Sequence, residues 1–404
     1  MLNKLMPLVF LFVIFACASN DVDSGKQESK DYNDIPIPGA WQTKMYFSLL
    51  EGKRIAFFGN HTSTIKETHI VDSLVNAGFH IIKVFSPEHG FRGDAAAGEH
   101  ISDKKDAKTN LPIISLYGSN KRPNPFHLND VDLILIDIQD VGTRFYTYIS
   151  TITYIMEEAA KQNIPVVILD RPNPNGHYID GPILESDYSS FVGLHPVPIV
   201  HGMTIGEYAL MLNGMEWLGK NLSCNLTVIT IANYNHSTFY KPVIAPSPNL
   251  PNIRSIYLYP SLCLFEGTAI SVGRGTDFPF QVFGHSELPP SEFGFKFMPQ
   301  SRKEAPNPPQ LDNICYGKDL RNVNLLDLQT NAKINLEYLI SAYKNYPDKD
   351  NFFNSFFNLL AGNSKLQEQV KAGLSADEIR ETWQKDLDNF MEIREKFLLY
   401  PDFK

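Results

Sequence analysis

Runs of apolar residues alternate with amphipathic segments from residue 54 to residue 231. The apolar runs are nearly continuous rather than alternating, which predicts strands buried on both faces. Segments with apolar residues at helical spacing separate most of them, so the pattern predicts an α/β fold with a parallel sheet. The predicted strands are 54–58, 80–85, 112–116, 131–138, 164–169 and 226–231, and the predicted helices between them are 68–77, 148–161 and 204–213.

Charged and amide side chains follow three of the predicted strands directly after each strand ends. Because the carboxyl ends of parallel strands share one edge of a sheet, these loops should converge on one ligand crevice. The residues concerned are Glu88, His89 and Arg92, then Asp140 and Arg144, and then Asp170, Arg171 and Asn173.

The loop that begins at Ser86 is unusually long, with about 25 residues that show no helix or strand pattern. Such a bare loop inside a compact domain is typical of a functional loop. Its first residues, Ser86–Gly93, place a carboxylate, an imidazole and a guanidinium among Pro, Phe and Gly. The alternative interpretation is that Glu88 is an ordinary solvated loop carboxylate.

A second polar cluster lies between residues 265 and 277. Glu266 stands between Phe and Gly, and Arg274 stands between two glycines that would let the backbone approach a ligand closely. Asp277 follows shortly after. The alternative interpretation is a turn in which Arg274 and Asp277 pair with each other.

The chain ends in a predicted helix. Ser375 and Glu378 have the spacing of a capping box. The apolar residues that follow at helical spacing predict core packing, and they are Ile379, Trp383, Leu387, Phe390 and Ile393.

The first 17 residues have the pattern of a bacterial lipoprotein signal. Lys4 precedes an apolar run of about 12 residues, too short to span a bilayer, and Cys17 follows a small residue at its end. Cys17 is therefore the expected lipidation site, residues 18–40 a polar tether, and the cell envelope the expected location. A plain secretory signal with an incidental cysteine is the alternative.

Composition excludes several partners. The net charge of -9 leaves no basic stripe for nucleic acid. Neither a G-x-G-x-x-G after a strand nor a P-loop motif occurs, which argues against a nucleotide cofactor. Cys224, Cys263 and Cys315 are odd in number and widely spaced, so we expect buried thiols rather than a disulfide framework.

Two carboxylates in one cleft can split an acetal, provided that one of them donates a proton. Glu88 suits the acid role because Phe85 and Phe91 lie nearby in the chain. Glu266 is the best candidate for its partner, with Asp140 and Asp277 behind it. The separation of the pair, which decides retention or inversion, does not follow from the sequence.

Metal-dependent hydrolysis is a competing chemistry. Glu88 and His89, together with Asp94, Glu99 and His100, offer hard ligands from one loop. No H-E-x-x-H spacing supports this reading.

Four motifs resemble the NamZ family of exo-β-N-acetylmuramidases. They are Ser86–Gly93, Asp137–Tyr146, Asp170–Pro174 and Phe265–Asp277, in the family's order, and the likeness runs from about residue 45 to the C-terminus. The resemblance implies release of terminal N-acetylmuramic acid from the non-reducing end of peptidoglycan fragments, without metal or nucleotide. It implies a Rossmann-like catalytic domain and a smaller α+β domain that completes the cleft. The pattern along the chain predicts the bounds 41–235 and 236–404 for these two domains. It also places a catalytic glutamate at Glu88.

Muramic acid carries a lactyl carboxylate, which an arginine fork would bind. We expect either Arg171 or Arg274 to do so. The full predicted substrate-binding set is His89, Arg92, Asp140, Arg144, Asp170, Arg171, Asn173, Arg274 and Asp277. A non-catalytic peptidoglycan-binding lipoprotein is the second interpretation, and a metal-dependent hydrolase is the third.

Overall fold

The computed structural model describes residues 35–88, 90–93 and 104–403. The strands are β1 Ile55–Gly59, β2 Thr64–Ile65, β3 Thr68–His69, β4 Ile81–Ser86, β5 Lys104–Lys105, β6 Pro112–Ser115, β7 Leu133–Asp137, β8 Val166–Leu169, β9 Leu226–Ile229, β10 Val282–His285, β11 Phe295–Phe297 and β12 Cys315–Asp319. The helices are α1 Thr43–Leu50, α2 Ile70–Asn76, α3 Tyr148–Lys161, α4 Ile205–Gly214, α5 Ile253–Leu262, α6 Leu325–Thr330, α7 Glu337–Asn345, α8 Phe357–Ala361, α9 Lys365–Ala372 and α10 Ala376–Arg394.

The larger sheet has seven strands in the order β5-β6-β4-β1-β7-β8-β9. Six of them are parallel, and β5 pairs antiparallel at the edge. The chain builds outward from β1 through β4 to β6 and then returns to continue through β7, which is the Rossmann order. This order places a topological switch point between β1 and β7, at the carboxyl edge where ligands bind in such sheets.

Both faces of this sheet are buried, as the continuous apolar strands predict. Phe58 and Ile136 belong to one core, whereas Phe57 and Leu135 belong to the other. Helices α3 and α4 cover the first face, and α1 and α2 cover the second. An α/β fold with a parallel sheet is thus confirmed.

The smaller C-terminal part contains an antiparallel sheet, in the order β10-β12-β11, with helices around it. Residues of its helices, among them Leu339 and Trp383, share the first hydrophobic core with the parallel sheet. The two parts therefore bury one continuous apolar interior. The division at residue 235 stays a prediction.

Most predicted elements occur within a few residues of their expected bounds. The capping box at Ser375 and Glu378 is present, and four of the five residues in the predicted stripe on α10 are buried. The three cysteines from Cys224 onward are free and buried, as expected. No helix among the described residues is both long and apolar enough to cross a membrane.

Candidate functional site

Glu88 follows β4 at the carboxyl edge of the parallel sheet and lines a small cavity there. Aromatic residues after β7 and residues of the C-terminal part complete the wall. The other lining residues are Phe145, Tyr146, Thr147, Tyr148, Ser247, Asn249, Leu250, Tyr259, Arg274 and Phe280. The cavity between these residues measures about 60 Å³, room for about two waters.

Tyr117 is a hydrogen-bond partner of Glu88. It follows β6, the strand next to β4, and its hydroxyl is hydrogen-bonded to the Glu88 carboxylate. Burial and the charge of Glu88 together raise the pKa of Tyr117 above its usual range. The phenol therefore keeps its proton at neutral pH and donates it to Glu88 in the hydrogen bond.

Glu266 and Arg274 form an ion pair next to this cavity. Glu266 lies on a short 3₁₀ helix that continues α5, and Arg274 Nε donates to its Oε1 at 2.6 Å. Burial lowers the pKa of Arg274, but Glu266 more than offsets this, so the pKa lies above its usual range. Arg274 is thus a fixed cation that touches Glu266 and also faces the cavity of Glu88.

The alternative pairing of Arg274 with Asp277 is wrong, because Arg274 binds Glu266. Asp277 instead accepts from Arg302 at 2.5 Å and is largely exposed. The two glycines beside Arg274 have positive φ angles, 77° at Gly273 and 79° at Gly275. A Cβ at Gly275 would lie 2.4 Å from the Gln300 carbonyl oxygen, so this glycine makes room for protein backbone.

Tyr148 connects the cavity to the switch point of the sheet. Asn60, which follows β1, donates from Nδ2 to the Tyr148 hydroxyl at 2.8 Å. The pKa of Tyr148 is raised by burial and also by the charges of Glu88 and Asp140. Asp140 is buried, and burial raises the pKa of its carboxyl to about 7, although the Gly142 N–H donates to it.

The other predicted arginines have partners inside the protein. Arg92 pairs with Asp72 and Asp106. Arg144 donates to the carbonyl oxygens of Pro182, Val197, Leu360 and Ala361, and burial lowers its pKa to about 9. Arg171 is buried against Asp137, with Nε–Oδ1 2.5 Å and Nη2–Oδ2 2.8 Å. None of these three arginines is among the described residues that line the Glu88 cavity.

Asp170 and Asn173, in the loop after β8, also form hydrogen bonds with other groups of the protein. Asp170 accepts from Thr204, Gly206 and Tyr400. Asn173 Nδ2 donates to the Met203 carbonyl oxygen, and its amide packs where a Cβ on Gly142 would clash at 2.3 Å. Of the remaining predicted residues, His89 and Cys17 lie outside the described part of the chain.

The structure describes Glu88 but not the other residues of the metal-ligand hypothesis. Within residues 35–88, 90–93 and 104–403, no three His, Cys, Asp or Glu side chains gather as a metal site would require. His89, Asp94, Glu99 and His100 lie outside these ranges.

The sequence prediction missed Tyr117, the partner of Glu88, and it also missed residues that line the cavity, among them Tyr148, Asn249 and Tyr259. A signal existed for Tyr117, which stands two residues after a parallel strand, where the other candidates were found. No such signal existed for Asn249 and Tyr259, because they come from outside the parallel sheet. Asn249 Nδ2 is buried and has no hydrogen-bond partner among the described residues.

Comparisons with known proteins agree along almost the whole chain. The N-terminal profile of exo-β-N-acetylmuramidase NamZ matches residues 55–254, and the C-terminal profile matches residues 257–400. The peptidoglycan β-N-acetylmuramidase NamZ of Bacillus subtilis is 38% identical over 417 aligned residues, which cover 97% of each chain.

Two crystal structures of DUF1343 family proteins from Bacteroides fragilis have the same fold. The first is 47% identical with a TM-score of 0.85, and the second is 29% identical with a TM-score of 0.75. Each match covers 91% of this chain and 99% of the other. Together with the two profiles, these likenesses show that the chain belongs to the NamZ family of exo-β-N-acetylmuramidases, which are glycoside hydrolases.

Proposed function

We propose that this protein is an exo-acting glycoside hydrolase that releases terminal N-acetylmuramic acid from the non-reducing end of peptidoglycan fragments. The observation that carries the proposal is family membership together with the position of Glu88. This carboxylate lies at the ligand edge of the sheet, in a cavity that also holds a cation and several aromatic rings. The same arrangement suits a sugar, whose apolar ring face packs on aromatic side chains.

Glu88 is the proposed general acid. A general acid has to stand within hydrogen-bond reach of the leaving oxygen, and the cavity gives Glu88 access to a bound ligand. The Tyr117 hydroxyl fixes the carboxylate from the side of β6. Tyr117 is thus a positioning residue, and Glu88 is the group that meets the glycosidic oxygen.

Glu266 is the proposed second carboxylate. Its ion pair with Arg274, at 2.6 Å, holds the carboxylate in one place beside the cavity, where it could stabilise an oxocarbenium-like transition state. Glu88 has a phenol beside it, whereas Glu266 has a guanidinium. Two carboxylates with such different partners are suited to two different roles.

Arg274 is the proposed ligand of the lactyl carboxylate. It lines the cavity of Glu88, whereas Arg171 is held by Asp137. A guanidinium has five N–H donors, so Arg274 can bind Glu266 through Nε and a substrate carboxylate through its other nitrogens.

We expect Arg274→Ala to weaken binding of N-acetylmuramic acid by tenfold or more, because it removes charge-assisted hydrogen bonds of about 1.5–3 kcal/mol. Binding of N-acetylglucosamine, which lacks the lactyl group, should change by less than about threefold. Calorimetric titration with both sugars measures this. Arg302→Ala, which removes an arginine from the Asp277 pair, is the matched control. Equal losses for both sugars would rule out the lactyl contact.

The cell envelope is the proposed location, with the lipid anchor on Cys17 and residues 18–40 as the tether. Peptidoglycan fragments lie in this compartment, so the anchor would hold the enzyme near its substrate. In a bacterial host, Cys17→Ser should move the protein out of the membrane fraction and abolish labelling by a fatty acid. Unchanged fractionation would reject the anchor.

The activity is tested with a chromogenic β-N-acetylmuramide beside the matching β-N-acetylglucosaminide. Wild type should cleave the muramide alone, with or without a chelator, and Glu88→Gln should lose activity by at least about a hundredfold. Glu287→Gln changes an exposed glutamate in the same way and should keep full activity. If the wild-type protein cleaves neither sugar, a peptidoglycan-binding lipoprotein becomes the better account. Inhibition by the chelator would favour a metal-dependent hydrolase.

A further inference from the structure

A second and larger pocket lies between the loop after β8 and the C-terminal helices α9 and α10. Its volume is about 380 Å³, within the usual range for ligand sites. It contains Trp217 and Trp383, two of the three tryptophans in the chain. We call it the tryptophan pocket. None of its lining residues also lines the Glu88 cavity.

The floor of the tryptophan pocket is apolar and firmly held. Leu366 on α9 and Phe390 on α10 are buried at 1% and 3% exposure. Trp217 stacks on the His195 imidazole, with ring centroids 4.7 Å apart and planes 3° apart. The imidazole covers one face of the indole, so Trp217 lines the pocket with the remaining surface of its ring.

Polar groups surround this floor. Asn363, Gln369, Thr382 and Asn389 supply amides and a hydroxyl. Trp383 is 4% exposed, and its indole Nε1 has no hydrogen-bond acceptor within the described ranges. Trp383 lines the pocket, and a buried donor of this kind needs an acceptor from water or from a bound molecule.

The charges around the tryptophan pocket argue against an anionic ligand. Lys365 is its only lysine or arginine among the lining residues described, and Lys365 pairs with Glu185 at 2.7 Å. Asp386 adds a further carboxylate. A ligand with a phosphate or a lactyl group would therefore meet net negative charge, whereas an uncharged ligand would not.

We propose that the tryptophan pocket is a second binding site, and that it takes an uncharged N-acetylhexosamine residue of a glycan chain. Such a sugar has an apolar face for an indole and a rim of hydroxyl and amide groups for polar side chains. The choice of a hexosamine polymer rests in part on the proposed function. The pocket would hold the glycan away from the point of cleavage.

Buried Arg144 lies between this pocket and the catalytic cavity. It donates to the carbonyl oxygen of Pro182, a residue of the tryptophan pocket, and the next residue, Phe145, lines the Glu88 cavity. The two sites are thus separate, and the segment of Arg144 and Phe145 contacts both of them.

The test is a calorimetric titration of the full-length protein with chitotriose, which carries no lactyl group. Wild type and Glu88→Gln should bind it equally, because the tryptophan pocket does not include Glu88. Trp217→Ala should weaken binding at least about tenfold, as loss of an aromatic anchor does. Trp383→Phe, which keeps a ring in the core and removes the donor, should weaken it by about three- to tenfold.

Trp41→Phe is the matched control, because Trp41 donates to the Thr64 carbonyl oxygen and does not line the pocket. It should bind chitotriose as wild type does. Its remaining fluorescence comes from the two pocket tryptophans and should change saturably on titration. Absence of saturable binding to wild type would overturn the proposal. A second result would also overturn the proposal: both pocket variants bind chitotriose as wild type does, and Glu88→Gln does not. The sugar would then occupy the Glu88 cavity. Retained activity on the muramide with no chitotriose binding would reject this site and leave the proposed function intact.

Discussion

Glu88 and Glu266 differ in the side chains to which they are hydrogen-bonded. Glu88 has the Tyr117 hydroxyl as a partner and lines the cavity, whereas Glu266 is fixed by the charge of Arg274. At the scale of single residues, the two carboxylates therefore differ in their partners, a neutral phenol for Glu88 and a guanidinium for Glu266.

We expect Tyr117→Phe to lower kcat by up to about tenfold, because it removes one hydrogen bond of about 0.5–1.5 kcal/mol that orients Glu88. KM should change by less than twofold, since the phenol acts through Glu88. Steady-state kinetics on the chromogenic muramide measures both constants. Tyr154→Phe removes a hydroxyl outside the cavity, where the ring stacks on Phe191, and serves as the control. A rise in KM at constant kcat would instead make Tyr117 a substrate ligand.

Asp140 should make stability depend on pH in an unusual direction. Its carboxyl has a pKa of about 7 in the folded protein because it is buried, so the folded state binds the proton more tightly than the unfolded chain. The stability that this proton supplies is present at low pH and is lost as the pH rises from about 4 to about 7.

We therefore expect the free energy of unfolding of wild type, relative to Asp140→Asn, to fall across this window by up to about 1.4 kcal/mol per pH unit. Comparing the two proteins cancels the contributions of the buried histidines, which titrate in the same range. Urea unfolding at several pH values supplies the measurement. A difference that does not vary with pH would show that Asp140 stays ionised.

At the scale of elements, buried polar pairs hold the loops at the carboxyl edge of the sheet. Arg171, after β8, binds Asp137, the last residue of β7, and also donates to the Thr64 carbonyl oxygen in β2 at 3.0 Å. This one side chain ties three elements together at the switch point.

We expect Arg171→Ala to lower the free energy of unfolding by about 3–5 kcal/mol, because it leaves the Asp137 carboxylate buried without its partner. Denaturant unfolding measures the loss. Arg302→Ala removes an arginine from an exposed pair and should leave the stability nearly unchanged. If the two variants are equally stable, the buried pair does not hold the switch point together.

The parallel sheet was predictable because its strands are continuous apolar runs, for which burial on both faces is the physical requirement. The three short strands of the C-terminal sheet were not predicted, since β10 to β12 carry no such run. Helix α5 was missed as well, because Pro260 lies inside it and usually ends a helix.

The same reasoning located the loops of the site better than the roles of their residues. The rule that ligand residues follow parallel strands correctly placed Glu88 at the carboxyl edge of the sheet. It could not distinguish a residue that faces the cavity from one whose side chain binds other protein groups. Arg144 and Arg171 come after strands as Glu88 does, yet their guanidinium groups are used by carbonyl and carboxylate oxygens inside the protein. Which partner an arginine finds depends on tertiary contacts far away in the chain.

At the scale of the whole molecule, the Glu88 cavity combines a Rossmann-type edge with residues from the C-terminal part. Glu88 and Tyr148 come from the parallel-sheet region, whereas Arg274 and Phe280 come from the segment before β10. Because both parts share one apolar core, the residues on the two sides of the cavity are held on a common framework.

The central claim is that the protein, with Glu88 as its general acid, removes muramyl residues from the non-reducing end of peptidoglycan fragments. Product analysis on two defined disaccharides tests this claim most directly. One has N-acetylmuramic acid at the non-reducing end, linked β-1,4 to N-acetylglucosamine, and the other has the reverse order. We expect wild type to split the first and leave the second intact, and Glu88→Gln to split neither. Cleavage of the second disaccharide, or full activity of Glu88→Gln on the first, would contradict the account.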